Sequence, residues 1–156
     1  MIKKILPFER IIFQSDLQSQ DLMARLRDAI LRKEYNGRTI QNEFKIKRII
    51  SYRNSFLPII KGEVKDDFQG SKIQVTMELI GFVKVFMGLW LSIVLLFFFM
   101  TVHEMLFVES QELDATALLI PLGMAIAGIL LTVLSFKFES RKSIKDLEII
   151  LQAKRI

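Results

Sequence analysis

The 156-residue chain contains no cysteine and one histidine. Without cysteine there can be no disulfide framework, thiolate metal centre, iron–sulfur cluster or cysteine nucleophile. A single imidazole rules out sites built from several histidines. His103 is followed by Glu104, but Phe107 stands where a zinc-binding helix needs its second histidine. The pair reads as the polar end of an apolar helix. No G-x-G-x-x-G or Walker loop gives a reason to expect a nucleotide. The expectation is a protein without cofactor, metal or catalytic site.

Formal charge is also absent over two long stretches. Residues 85–102 read VFMGLWLSIVLLFFFMTV and residues 115–136 read ATALLIPLGMAIAGILLTVLSF, with no charged side chain in either. At about 1.5 Å rise per residue each covers roughly 27 Å or more, close to the ~30 Å of a hydrocarbon core. A quarter of the chain is charged, yet mean hydropathy is +0.35, so the average conceals two populations. The expected organisation is a soluble domain over 1–78, a first transmembrane helix over 79–103 and an external loop over 104–114. A second transmembrane helix over 115–136 and a tail over 137–156 complete it. MIKKILPFER is interrupted by Pro7, Glu9 and Arg10, so it does not read as a secretory signal peptide.

The charged residues are partitioned between these segments. Residues 1–78 hold 15 Lys/Arg against 10 Asp/Glu, and the tail from Lys137 holds six against three. The link between the spans holds no cation and four acids, Glu104, Glu109, Glu112 and Asp114. Retention of cationic segments on the cytoplasmic side predicts both ends inside and the acidic link outside. The Ile-, Lys- and Phe-rich composition is of a bacterial cast, hence a bacterial inner membrane is expected. Lys84 in the first turns of the first span can snorkel to the headgroups. Lys137, Arg141, Lys142 and Lys145 are placed to meet the membrane surface, which explains the basic surplus without nucleic acid.

The soluble part reads as a small α+β domain in the order β-α-β-β-β, built on an antiparallel sheet. Glu9–Gln14 is the first strand. Ser19 is the expected N-cap of a helix from Gln20 to Leu31, with Leu22, Met23, Leu26 and Ile30 on one face. Asn36-Gly37 signals a turn. Phe44–Lys47 alternates and then slips near Arg48–Ile50, as a bulge would cause; Ile59–Lys65 follows Pro58. Lys72–Leu79 alternates cleanly, with Ile73, Val75, Met77 and Leu79 on one side, and DDFQGS before it is the expected hairpin loop. This strand runs into the first span with no linker.

In the tail, Ser143 is the expected N-cap of a separate amphipathic helix bearing Ile144, Leu147, Ile150 and Leu151. It can pack on the soluble domain, lie on the inner leaflet or pair with a copy of itself. The mixed segment ISYRNSFLP places Tyr52, Arg53, Asn54 and Phe56 in a connection, either as a partner-binding loop or as a packed turn. Gly81, Gly88 and Ser92 in the first span, and Gly123 and Ala127 in the second, have the small-xxx-small spacing that lets helices approach closely. The expected partners are the lipid bilayer and another protein or a second copy. Two functions remain open: a two-pass membrane protein with a cytosolic binding or assembly domain, or a membrane-active effector or channel-like oligomer gated by that domain.

Overall fold

A computed structural model describes residues 6–107 and 116–156. The elements are β1 (Phe8–Ser15), α1 (Ser19–Leu31), β2 (Tyr35–Ile40), β3 (Glu43–Arg48), β4 (Ile59–Asp67), β5 (Gly70–Glu78), α2 (Gly81–Phe107), α3 (Thr116–Ile150) and β6 (Ala153–Arg155). The chain divides into two compact units, one comprising Gly81–Leu134 and the other the residues up to Ile80 together with Ser135–Ile156.

The second of these units holds a six-stranded antiparallel sheet in the order β2-β3-β4-β5-β1-β6. Alternation along β5 sets its faces, because residues two apart share a side. Ser71, Ile73, Val75 and Met77 are buried, and the register carries that face to Phe13 and Ile11 on β1 and to Val64 and Ile60 on β4. Ile46 and Phe44 continue it on β3. Leu22, Met23, Leu26 and Ala29 of α1, with Phe136, Ile144, Leu147 and Leu151 from the end of α3 and just beyond, are buried with this face.

Several expectations change in detail. The sheet has six strands where four were expected. Asn36-Gly37 is no turn but lies inside β2. The β2–β3 turn is Gln41-Asn42, with Gln41 at a φ of 47°. Gly37 has a φ of 155°, and a Cβ there would sit 2.2 Å from the Lys45 carbonyl oxygen, so this glycine serves a close strand approach. The slip after Lys47 is the end of β3. The β4–β5 hairpin is tighter than DDFQGS suggested, with only Phe68-Gln69 between its strands.

Gln18, not Ser19, is the N-cap of α1, and its side chain makes no capping bond. The cap is supplied from β4. The Asp66 carboxylate accepts the Ser19 backbone N–H at 2.8 Å, the Ser19 hydroxyl at 2.8 Å and the Ser71 hydroxyl at 3.0 Å. An anion there also meets the positive end of the helix dipole.

The tail helix is not separate. α3 runs unbroken from Thr116 to Ile150, and Ser143 is a buried mid-helix residue whose hydroxyl has no hydrogen-bond partner among the described residues. Gln152, at a φ of 45°, ends the helical path, and the chain turns into β6. The Ser15 hydroxyl donates to the Leu151 carbonyl at 2.9 Å and to that of Gln152 at 3.3 Å, satisfying oxygens the helix end leaves open.

The three bonds to Asp66 hold its carboxyl below the ordinary value of 3.8, the Ser19 N–H being the largest cause. A depressed folded value contributes stability above the unfolded value, lost as pH falls through the folded one. Asp66→Asn is therefore expected to lower thermal stability at pH 7 and to flatten the loss of stability below pH 3.8, measured by circular-dichroism melts across pH.

Candidate functional site

The densest polar constellation of the sheet-bearing unit lies where the last turns of α3 meet the sheet. Glu139 is its centre. This carboxylate is 1% exposed, so its charge must be met by the protein. Tyr52, in the connection between β3 and β4, donates its hydroxyl to Glu139 Oε1 at 2.5 Å. Arg48, at the end of β3, reaches Glu139 Oε2 with Nη1 at 3.5 Å and Asp146 Oδ2 with Nε at 3.0 Å. Glu139 and Asp146 are seven residues apart, two turns along one helix face, which lets one guanidinium bridge both. Lys142 lies 3.7 Å from Glu139 Oε1, donates to the Tyr52 hydroxyl at 3.3 Å and stands 4.2 Å from the centre of the Phe138 ring.

A second cluster flanks the first. Glu9, on the inner face of β1, accepts Lys137 Nζ at 2.8 Å and the Ser140 hydroxyl at 2.7 Å. Ser140 is fully buried and its oxygen lies 3.3 Å from Met77 Sδ, on the residue that opposes Glu9 in the register. Adjacent helix residues, Glu139 and Ser140, thus bind different strands. Nearby, Tyr35 is buried on β2 with no partner for its hydroxyl among the described residues; burial first, then Asp146, pushes its ionisation above the ordinary value.

The clusters act chemically as a joint. Buried ion pairs gain little net stability over apolar packing, because desolvation offsets the attraction, yet they forbid alternative seatings that leave a charge unmatched. An α3 rotated by one residue would withdraw Glu139 from both Tyr52 and Arg48.

The residues singled out from the sequence fall in different places. Of the connecting segment, Tyr52 belongs to the joint. Asn54 accepts the Phe56 N–H at 2.9 Å in a local turn, Phe56 is half-buried, and Arg53 is exposed. Lys137 and Lys142 have the protein partners given above; the side chains of Lys84, Arg141 and Lys145 reach solvent. Arg48, Glu139, Glu9 and Ser140 were not singled out. The available signal was the spacing Phe136, Ser140, Ser143, Leu147, Leu151, which keeps one face of a continuous helix and carries small hydroxyl residues through it.

In the unit of Gly81–Leu134, Gly81, Gly88 and Gly123 have open space where a Cβ would stand. The close approach is at Gly128, whose Cβ position lies 3.1 Å from Trp90 Nε1. The Ser92 hydroxyl donates to the Gly88 carbonyl at 2.9 Å, and Ala127 is exposed. His103 stacks on Phe107 at 5.1 Å between ring centres. Residues 108–114 of the acidic link lie outside the described residues. No group of three or more His, Cys, Asp or Glu able to hold a metal ion occurs among the described residues.

Comparison with protein-family models, curated proteins and solved structures finds no match for this chain.

Removing the Glu139 carboxylate leaves Arg48 with Asp146 alone and takes the acceptor from the half-exposed Tyr52 hydroxyl. Glu139→Ala is expected to cost about 2 kcal/mol, and Tyr52→Phe about 1 kcal/mol. Chemical unfolding in detergent, followed by far-ultraviolet circular dichroism, checks both the size and the order.

Proposed function

We propose that this chain is a two-pass integral membrane protein whose sheet domain is a cytosolic binding or assembly module without catalysis. The observation that carries the reading is the surface of α2 and α3. Both helices are long and apolar enough to cross a membrane, and only 6% and 11% of their most apolar stretches are buried. Helices packed in a soluble core would hide those side chains; here Phe86, Leu89, Ile93, Leu96 and Phe99 stand exposed on α2, as do Leu119, Ile126, Leu130 and Leu134 on α3. The cation-rich segments on either side of an acidic link supply the orientation, with both ends cytosolic. The bacterial inner membrane fits the composition.

The module is tied to its anchor without slack. β5 ends at Glu78 and α2 begins at Gly81, while α3 contributes residues to both compact units as one helix. A partner that displaces the sheet would pull directly on the spans. Assembly with a partner or a second copy therefore has a mechanical route into the bilayer. A second reading, an oligomeric effector that opens the membrane, is favoured by the open faces at Gly88 and Gly123.

The cysteine-free background makes the orientation testable. A single cysteine at Ser110 should react with an impermeant maleimide in intact cells, and one at the exposed Lys145 only after permeabilisation. The reverse pattern overturns the orientation, and labelling of both in the soluble fraction overturns the membrane reading. Overexpression that depolarises cells, relieved by Gly88→Leu or Gly123→Leu, would favour the effector.

A further inference from the structure

The face of the sheet turned away from the core carries a feature that core packing does not require. Following the register across five strands, Arg38 on β2 opposes Lys45 on β3, Lys45 opposes Lys61 on β4, Lys61 opposes Thr76 on β5, and Thr76 opposes Arg10 on β1. Four cations therefore stand in one transverse row, about 19 Å long at ~4.8 Å per strand. Like charges placed directly opposite destabilise a sheet, and the row contains two such contacts, Arg38 with Lys45 and Lys45 with Lys61. Lys61 is paired with Glu78. Arg10, Arg38 and Lys45 make no ion pair and no side-chain hydrogen bond among the described residues. All four cations line one shallow cleft of about 420 Å³.

We propose that this row binds an extended acidic segment of a partner protein, lying across the strands with its carboxylates on Arg38, Lys45, Lys61 and Arg10. This inference rests on the reading of the sheet domain as a partner-binding module and names the chemistry of the partner. Its support is charge complementarity in a line. The next row on the same face, about 6.8 Å away along the strands, sets Glu43 directly opposite Glu63. A flat anionic surface, or a compact polyanion filling the cleft, would press against those carboxylates. An extended peptide of about six residues, at ~3.3 Å each, covers the cationic row and leaves the acidic row clear. Single-stranded nucleic acid is also linear, but it needs aromatic platforms for its bases. The cationic row (Arg38, Lys45, Lys61, Thr76 and Arg10) and the acidic row (Ile40, Glu43, Glu63, Gln74 and Ile12) contain no aromatic side chain, and the other flank offers Phe8, opposite Glu78, a single ring where successive bases need several. Thr76, within the cationic row, can donate to the peptide backbone.

The test uses the full chain in nanodiscs of zwitterionic lipid, with fluorescein-labelled octaglutamate as probe and anisotropy as readout. Saturable binding that weakens with salt is expected. It should fall about tenfold or more in Arg38→Glu/Lys45→Glu, and much less in Arg27→Glu/Lys33→Glu, which makes the same charge change outside the row. Absence of binding, or equal loss in the two double variants, overturns the proposal. Tighter binding of a labelled octathymidylate than of octaglutamate overturns the choice of a peptide. Cysteine labelling of the spans reads the membrane anchor separately, so failure here leaves that result standing and the reverse also holds.

Discussion

Burial of the Glu139 carboxylate is the constraint on which the domain's arrangement turns. A charge 1% exposed can be held only where donors converge, and they come from Arg48, Tyr52 and Lys142. Those donors belong to a strand end, a connecting loop and the helix itself. Meeting the charge therefore sets the rotation of α3, the course of the β3–β4 connection and the position of Arg48 together. Apolar packing alone would tolerate small slides of Leu147 and Leu151 over the sheet; matched polar groups do not. The neighbouring bonds of Ser140 and Lys137 to Glu9 extend the same restriction to β1.

The two faces of the sheet answer different demands. The inner face is Ile, Val, Phe and Met from four strands, closed by helices from opposite ends of the sequence. The outer face is charged in rows, cations along one rung and Glu43 with Glu63 along the next. Charged rows blunt unwanted sheet stacking, since a like-charged neighbour is repelled from an open face. Two cation–cation oppositions, with only Lys61 relieved by an acid, go further than solubility needs, which separates this row from an ordinary solvated face.

What could be read from the sequence follows physical strength of signal. β5 alternates over its whole length, and the charge-free runs behind α2 and the first part of α3 are unmistakable. β2 was concealed because Asn36-Gly37 is the strongest short turn signal there is, and here the glycine is spent on close strand approach. Three residues of β6 carry no periodicity at all. Ser143 has the local character of an N-cap, and the continuity of α3 through it rests on its burial in the helix interior, a tertiary fact. In KFESRK, Glu139 reads as one acid in a solvated basic run, because nothing local marks a carboxylate that two distant groups, Arg48 and Tyr52, will cover. The cationic row has the same character: Arg10, Arg38, Lys45 and Lys61 are scattered over fifty residues and become a line only through pairing register.

The domain is discontinuous in sequence, and this bears on how it comes into being. Its hydrogen bond from Ser15 to Leu151 joins residues 136 apart. During synthesis the strands up to Glu78 emerge first, with their inner face lacking Phe136, Leu147 and Leu151. Helices α2 and α3 must be made before those residues arrive. The half-built sheet thus spends the translation time of some seventy residues, several seconds at ~5–20 residues per second, with apolar surface uncovered. Closure then joins the two ends of the chain, so truncation between Glu78 and Phe136 leaves a domain without the apolar side chains that α3 lays on it. Quality control can read that uncovered face as the mark of an unfinished protein.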